Sequence, residues 1–191
     1  MNNRKVYISG EIVPEVDAKI SIFDSAVLLG DTVTESTRTF NFKPFKLDEH
    51  LERLYKSFKL TRIDPQMTIE EMKKVSLELL EINKDNYKAN EDCWLVHNIS
   101  RGHSITGGNP ALQVSKPTVM IYTQPMNLVL WAPFYTKGCH AVTPPTRMVP
   151  SQSLDARIKN RSRLFYTLAE IEAKLVLSLI HISEPTRQIV I

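Results

Sequence analysis

The chain has 191 residues, 42% hydrophobic and 24% charged, with a formal net charge of +3. This is ordinary globular composition, long enough for a real core in one large domain or two small ones, and too mildly basic for a nucleic-acid coat. Two distant cysteines, Cys93 and Cys139, exclude a disulfide framework and a cysteine metal site, and the five histidines show no ligand pattern. No secretory h-region follows MNNRKVYISG, and no apolar run reaches the ~20 residues of a membrane helix. These features predict a cytoplasmic protein with neither membrane nor nucleic acid as a partner.

KVYISGEIVP alternates apolar and polar residues around Ser9-Gly10-Glu11 and predicts a β-hairpin ended by Pro14. AKISIFDSAVLLGD predicts a strand running into a loop at Leu29-Gly30-Asp31. TVTESTRTF alternates again, and NFKPF is a turn between strands. The period then changes. Leu51, Leu54, Tyr55 and Phe58 fall at i, i+3, i+4 and i+7, an amphipathic helix with Asp48 as N-cap. TIEEMKKVSLELLEINK predicts a second helix, with Thr68 and Glu71 as a capping box and Met72, Val75, Leu79 and Ile82 as the buried stripe.

Strands return at CWLVHNIS (93–100) and TVMIYTQP (118–125). Between them, RGHSITGGNPALQVSKP holds three of the six glycines and predicts a long loop, often a functional feature in a compact domain. A first domain over 1–125 is expected to lead through a linker (126–133) to the start of a second domain (134–176). There HAVTPPTRMVP predicts a strand, and RSRLFYTLAEIEAKLV a helix with Leu164, Leu168, Ile171 and Leu175 at helical spacing.

SLDARIKNRSRLF places Lys159 among Arg157, Arg161 and Arg163, just before or at the start of that helix. Neighbouring cations penalise a charged amine and would favour Schiff-base chemistry at Lys159. The same arginines could hold a phosphate through paired hydrogen bonds. By composition alone the plainer reading is a solvated basic helix start.

DARIKNRSRLFYTLAEIEAKL, taken with LLGDTVTESTRTFNFKPFKLDEHLERLYKS, resembles the class IV aminotransferases. These are the fold-type IV pyridoxal-phosphate enzymes, among them branched-chain and D-amino-acid aminotransferases and 4-amino-4-deoxychorismate lyase. The resemblance runs from about Val6 to Val176. It implies an α+β, two-domain fold with a complete N-terminal α/β sandwich domain and only the start of the C-terminal pseudo-barrel domain. It implies that Lys159 attaches pyridoxal 5′-phosphate as a Schiff base and moves a proton on the substrate, and that Arg53, in DEHLERL, contacts the cofactor phosphate. GDTVTES matches the family's GDGVFE-like stretch at the substrate pocket. Thr34 stands there in place of an aromatic residue and Thr32 in place of glycine, so a roomier or more polar pocket is expected. Glu35 matches the family glutamate; a structural ion pair is the other reading of it. NISRGHSITGG resembles the family's RG loop and puts Arg101 on the substrate side. The further arginine of the D-amino-acid enzymes is absent, and Leu164 replaces the tyrosine that branched-chain enzymes carry five residues after the lysine, so the subfamily stays open.

The implied activity is amino-group transfer between a branched-chain-like amino acid and a 2-oxo acid such as 2-oxoglutarate, in a homodimer. A lyase of the aminodeoxychorismate type is the alternative with the same cofactor. A non-enzymatic basic binding module is the third reading, and the chain lacks the interleaved aromatics that single-strand binders use. LSLIHISEPTR (177–187) breaks the helical pattern and resembles the in-frame translation of a sequencing-library adapter. Residues 177–191 are therefore expected to be non-native and the chain to be an inactive fragment, without the carboxylate and phosphate loops that the family places after the lysine helix.

Overall fold

A computed structural model describes residues 3–88, 91–103, 116–126, 128, 132–176 and 178, with the backbone of Ile180–His181. It forms two compact units: Met1–Met126 with Ile158–Arg161, and Asn127–Arg157 with Ser162–Ile191.

In the first unit, β1 (Lys5–Ile8) and β2 (Glu11–Pro14) make the expected hairpin. Its two-residue turn has Ser9 and Gly10 both at positive φ, the geometry whose twist matches the flanking strands. The strand predicted in AKISIFDSAVLLGD, running to the loop at Leu29-Gly30-Asp31, does not form. A 3-10 turn at Glu15–Asp17 and irregular backbone lead instead to the short helix α1 (Ser25–Leu28). Asp24 accounts for this. Its side chain caps α1 at Ala26 N, 2.8 Å, and its buried carboxylate accepts the hydroxyls of Ser100 at 2.6 Å and Thr118 at 2.5 Å. Those bonds fix a bend that an alternating pattern does not show.

Strands β3 (Thr32–Phe40), β4 (Lys43–Pro44), β5 (Cys93–Ser100) and β6 (Thr118–Pro125) complete a six-stranded antiparallel sheet ordered β2-β1-β6-β5-β3-β4. The register opposes Val33 to Ile99, Glu35 to His97 and Thr37 to Leu95. Alternate residues share a face, so Val33, Leu95, Ile99, Ile121 and Tyr7 meet Leu51, Leu54 and Phe58 of α2 (Leu47–Thr61) and Met72 and Leu79 of α3 (Ile69–Asn83) in one core. Each fully buried aliphatic or aromatic side chain there contributes roughly 1.5–3 kcal/mol.

The helix ends show what spacing alone can and cannot fix. The capping box of α3 forms as predicted: Thr68 Oγ1 accepts from Glu71 N at 3.1 Å, and the Glu71 carboxylate accepts from Thr68 N at 2.7 Å. Asp48 is not the cap of α2. The helix starts two residues earlier, behind Lys46 in the left-handed region, and Asp48 lies in the first turn, 2.7 Å from Lys73 Nζ. A carboxylate there still favours the helix dipole. The buried stripe of α3 is also rotated. Met72 and Leu79 are buried, but Ile82 is exposed and Ser76, Leu80 and Asn83 are inside. Asn83 turns inward because its amide clamps the Lys5 backbone, accepting from N at 2.7 Å and donating to O at 2.9 Å.

The second unit holds α4 (Phe134–Lys137), β7 (Ala141–Val142), α5 (Leu164–Leu175) and β8 (Ile180–His181), with β7 and β8 paired in parallel. The strand predicted across 140–150 shrinks to Ala141–Val142, because Pro144, Pro145 and Pro150 remove ladder donors. In α5 the small residues Ala169 and Ala173 are buried. The predicted stripe of Leu164, Leu168, Ile171 and Leu175 is exposed, Leu164 at 71% and Leu175 at 79%. Residues 104–115 of the predicted long loop and most of 177–191 lie outside the described residues. No helix among the described residues is long and apolar enough to cross a membrane.

Candidate active site

The site is built where a distant segment joins β3. Only Thr39 and Phe40 of β3 pair with β4, so its N-terminal half has an open outer edge. Residues 159–161 occupy that edge. Thr34 N donates to Lys159 O at 2.8 Å and Arg161 N donates to Thr32 O at 2.9 Å, on either side of a Val33–Asn160 bridge. Lys159 N in turn donates to Ser57 Oγ at 3.2 Å, and Ser57 Oγ donates to Arg53 O, also at 3.2 Å. The backbone of Lys159 is thereby held by β3 on one side and α2 on the other. It lies ahead of α5, not on it.

One fully buried carboxylate gathers the side chains. Glu35 accepts from Arg53 Nε and Arg53 Nη2, each at 2.7 Å, and from Ser36 N at 2.9 Å. His50 Nδ1 lies 3.2 Å from Oε1 and Lys159 Nζ 4.0 Å from the same oxygen. Burial alone would push the Glu35 carboxyl up. The Arg53 and Ser36 hydrogen bonds, with the charges of Lys159 and Arg53, outweigh it and hold the group below the ordinary carboxylate range. The same hydrogen bond raises Arg53 further, so this guanidinium stays charged.

Arg53 commits one whole edge, Nε and Nη2, to Glu35. Its Nη1 makes no hydrogen bond to a described residue, and the side chain is 50% exposed. His50 Nδ1 also lies 3.3 Å from Arg53 Nη2. A ring nitrogen cannot donate to Glu35 and accept from Arg53 at once, so the tautomer of His50 decides which contact is a hydrogen bond.

Behind this cluster His97 is fully buried opposite Glu35, with Nε2 2.8 Å from Ser76 Oγ. Ser76 gives its own proton to Met72 O at 2.7 Å, so Nε2 carries a proton and donates to Ser76. Burial lowers His97 to about 4; the Glu35 charge opposes that and His50 adds to it.

The structure corrects two expected pocket residues and one expected cluster. Thr34 is fully buried and donates its hydroxyl to His97 O at 2.9 Å, so it adds neither room nor a free polar group. Its contribution is the backbone N–H that holds Lys159. Arg101 works as a staple. Its Nε meets Asp31 at 2.8 Å, and Nη1 and Nη2 donate to Arg62 O and Thr61 O at 2.9 Å, the carbonyls that end α2. Two of the arginines near Lys159 in sequence have other contacts. Arg157 is clipped to Asp155 at 2.6 Å, and the Arg163 guanidinium stacks on Tyr166. The charge facing the Lys159 amine from β3 is that of Glu35, of opposite sign.

His50 and Ser57 were not picked out by sequence reasoning. A signal existed: His50, Arg53 and Ser57 fall at i, i+3 and i+7, a polar line beside the apolar one on α2.

The family model of Amino-transferase class IV matches residues 32–176, most of the chain. The chain therefore belongs to the class IV aminotransferase family. It is 36% identical over 169 residues to a Methanocaldococcus jannaschii protein provisionally named a branched-chain-amino-acid aminotransferase, covering 88% of this chain and 55% of that protein. The fold matches the Escherichia coli branched-chain amino acid aminotransferase with a TM-score of 0.84 at 22% identity, covering 95% of this chain and 59% of that one. It also matches a second solved branched-chain amino acid aminotransferase, one that holds pyridoxamine 5′-phosphate, with a TM-score of 0.80 at 22% identity, over 96% and 59%. The chain thus spans little more than half the length of these relatives.

Proposed function

We propose that the intact protein moves an amino group between a branched-chain-like amino acid and a 2-oxo acid such as 2-oxoglutarate, with pyridoxal 5′-phosphate held at Lys159 and Arg53. One observation carries this reading: Lys159 Nζ and Arg53 Nη2 lie 4.0 and 2.7 Å from the same buried Glu35 oxygen. A small ligand bearing an aldehyde and a phosphate needs an amine and a fixed cation a few ångströms apart, and these residues fit it. The names and bound ligands of the relatives support the same assignment, and a working homodimer in the cytoplasm belongs to the proposal.

When bound, the cofactor supplies an aldehyde that takes up amino groups and a ring that accepts electrons. This chain supplies the rest of what is gathered here. Lys159, in its uncharged form, would hold the cofactor through its aldehyde, and the same amine would move a proton at the substrate carbon. Its backbone bonds to Thr34 and Ser57 limit where the amine can reach. Arg53, oriented by Glu35, would hold the cofactor phosphate through a charge-assisted bond from its remaining edge. No carboxylate for the ring nitrogen is assigned among the described residues.

Pyridoxal phosphate added to the chain is expected to give an absorption band near the visible edge that Lys159→Ala abolishes. A band of equal strength in the variant would assign it to surface lysines and sink the reading. On the intact protein, keto-acid-dependent amino transfer without pyruvate release separates the transferase from the lyase.

A further inference from the structure

The proposed chemistry leaves unexplained why a fully buried carboxylate sits between the two cations it needs. We infer that Glu35 is a positioning residue, which selects the edge of Arg53 left for a phosphate and keeps the resting Lys159 amine in its charged form. The inference rests on the assignment of Lys159 and Arg53 above.

The geometry supports both parts. A guanidinium has two edges that can pair side-on with an oxyanion. Glu35 occupies the Nε–Nη2 edge with two bonds of 2.7 Å. The Arg53 plane is thus fixed, and on this half-exposed side chain the edge formed by Nη1 and the second hydrogen of Nη2 is left for another oxyanion. An incoming phosphate meets one edge of fixed direction, led by Nη1, not a freely rotating fork. The second part follows from charge. Lys159 Nζ is 4.0 Å from Glu35 Oε1, in a place where the carboxylate has no exposure to water. An opposite charge at that range favours the ammonium. Among the described residues, the other charged or titratable groups facing Glu35 are Arg53 and His50 from α2, with His97 opposite it on β5. Arg53 repels the ammonium, so Glu35 divides its field between two cations. Removing either partner therefore pushes Lys159 in opposite directions.

The test uses the chain without cofactor. Lys159 is labelled with acetic anhydride, which attacks only the uncharged amine, across a pH series, and the site is read by peptide mass spectrometry. Glu35→Gln is expected to lower the pH of half-maximal labelling by roughly one unit or more, because two cations lose their shared counter-charge. Arg53→Gln is expected to raise it, because Lys159 then no longer shares the Glu35 charge with a guanidinium. A merely structural carboxylate would change folding but would not split the two variants in sign. If Glu35→Gln does not fold, the upward shift in Arg53→Gln decides. Equal midpoints in all folded proteins, or a downward shift in Arg53→Gln, would overturn the inference. For the Arg53 edge, inorganic phosphate added to labelled wild-type protein is expected to shift the Nη1 resonance of Arg53 and leave its Nε–H in place; displacement of Nε–H would overturn that half. No pyridoxal phosphate enters these measurements. Failure of the absorption band with the opposed shifts intact would reject the cofactor reading and keep the Glu35 assignment.

Discussion

Helices α2 and α5 carry the same kind of sequence signal and end up in opposite situations. In α2, Leu51, Leu54 and Phe58 are buried against the sheet. In α5, Leu164, Leu168, Ile171 and Leu175 are all exposed, and alanines take the inner face. Periodicity shows that a helix has an apolar side; whether that side is covered depends on a partner surface elsewhere in the chain. The polar side differs too. That of α2 presents His50, Arg53 and Ser57 to a buried carboxylate and a lysine backbone, whereas α5 turns Glu172 to Thr146 at 2.8 Å.

The same substitution on the two helices sharpens this contrast most. Leu54→Ala is expected to cost about 2–5 kcal/mol in denaturant unfolding of the first unit, from lost burial and the cavity left behind. A cost below about 1 kcal/mol would mean that the α2 core is not as packed as described. Arg101→Ala comes next, at roughly 2–3 kcal/mol, since it unpairs Asp31 and two helix-ending carbonyls. An unchanged midpoint would return Arg101 to the substrate side. Acid provides the third test. His97 titrates near 4 when folded, below its ordinary value of 6.5. Between those pH values the unfolded chain binds the proton and the folded one does not. Stability is therefore full above about pH 6.5 and falls as pH drops toward 4, by up to about 1.4 kcal/mol per unit. Glu35, whose folded value is lowered, adds its loss only further down, below its ordinary value of 4.5. Melting curves of His97→Gln are expected to lack the slope between 6.5 and 4. At the bottom of the scale, Leu168→Ala in α5 is expected to stay within about 0.5 kcal/mol, as for exposed positions generally. A loss comparable to that of Leu54→Ala would show that something covers α5 after all.

The hairpin, the three long strands β3, β5 and β6 and both long helices of the first unit were legible because each shows its period in the sequence. The α3 capping box was legible because it is local. What escaped was non-local. Asp24 breaks a predicted strand through hydroxyls at Ser100 and Thr118, far along the chain. Asn83 rotates α3 by reaching β1. In the site, Lys159 and Arg53 were marked by resemblance, and their shared carboxylate was noted with two readings. That Arg101 ties off a helix, or that Thr34 serves through its N–H, depends on which carbonyls lie nearby, and spacing does not encode that. Sequence neighbours also misled: Arg157 and Arg163 are near Lys159 in the chain and occupied with other groups in space.

The return of residues 158–161 to the edge of β3 also bears on how the molecule is made. The open half of the β3 edge cannot be closed until some 120 residues beyond it have been synthesised, which is a contact of high order and a slow one to form. During that interval β3 offers unpaired N–H and C=O groups to any passing strand. Translation past Arg161 thus does more than add the lysine: it removes the sticky edge, so a ribosome stalled earlier releases a chain primed to aggregate.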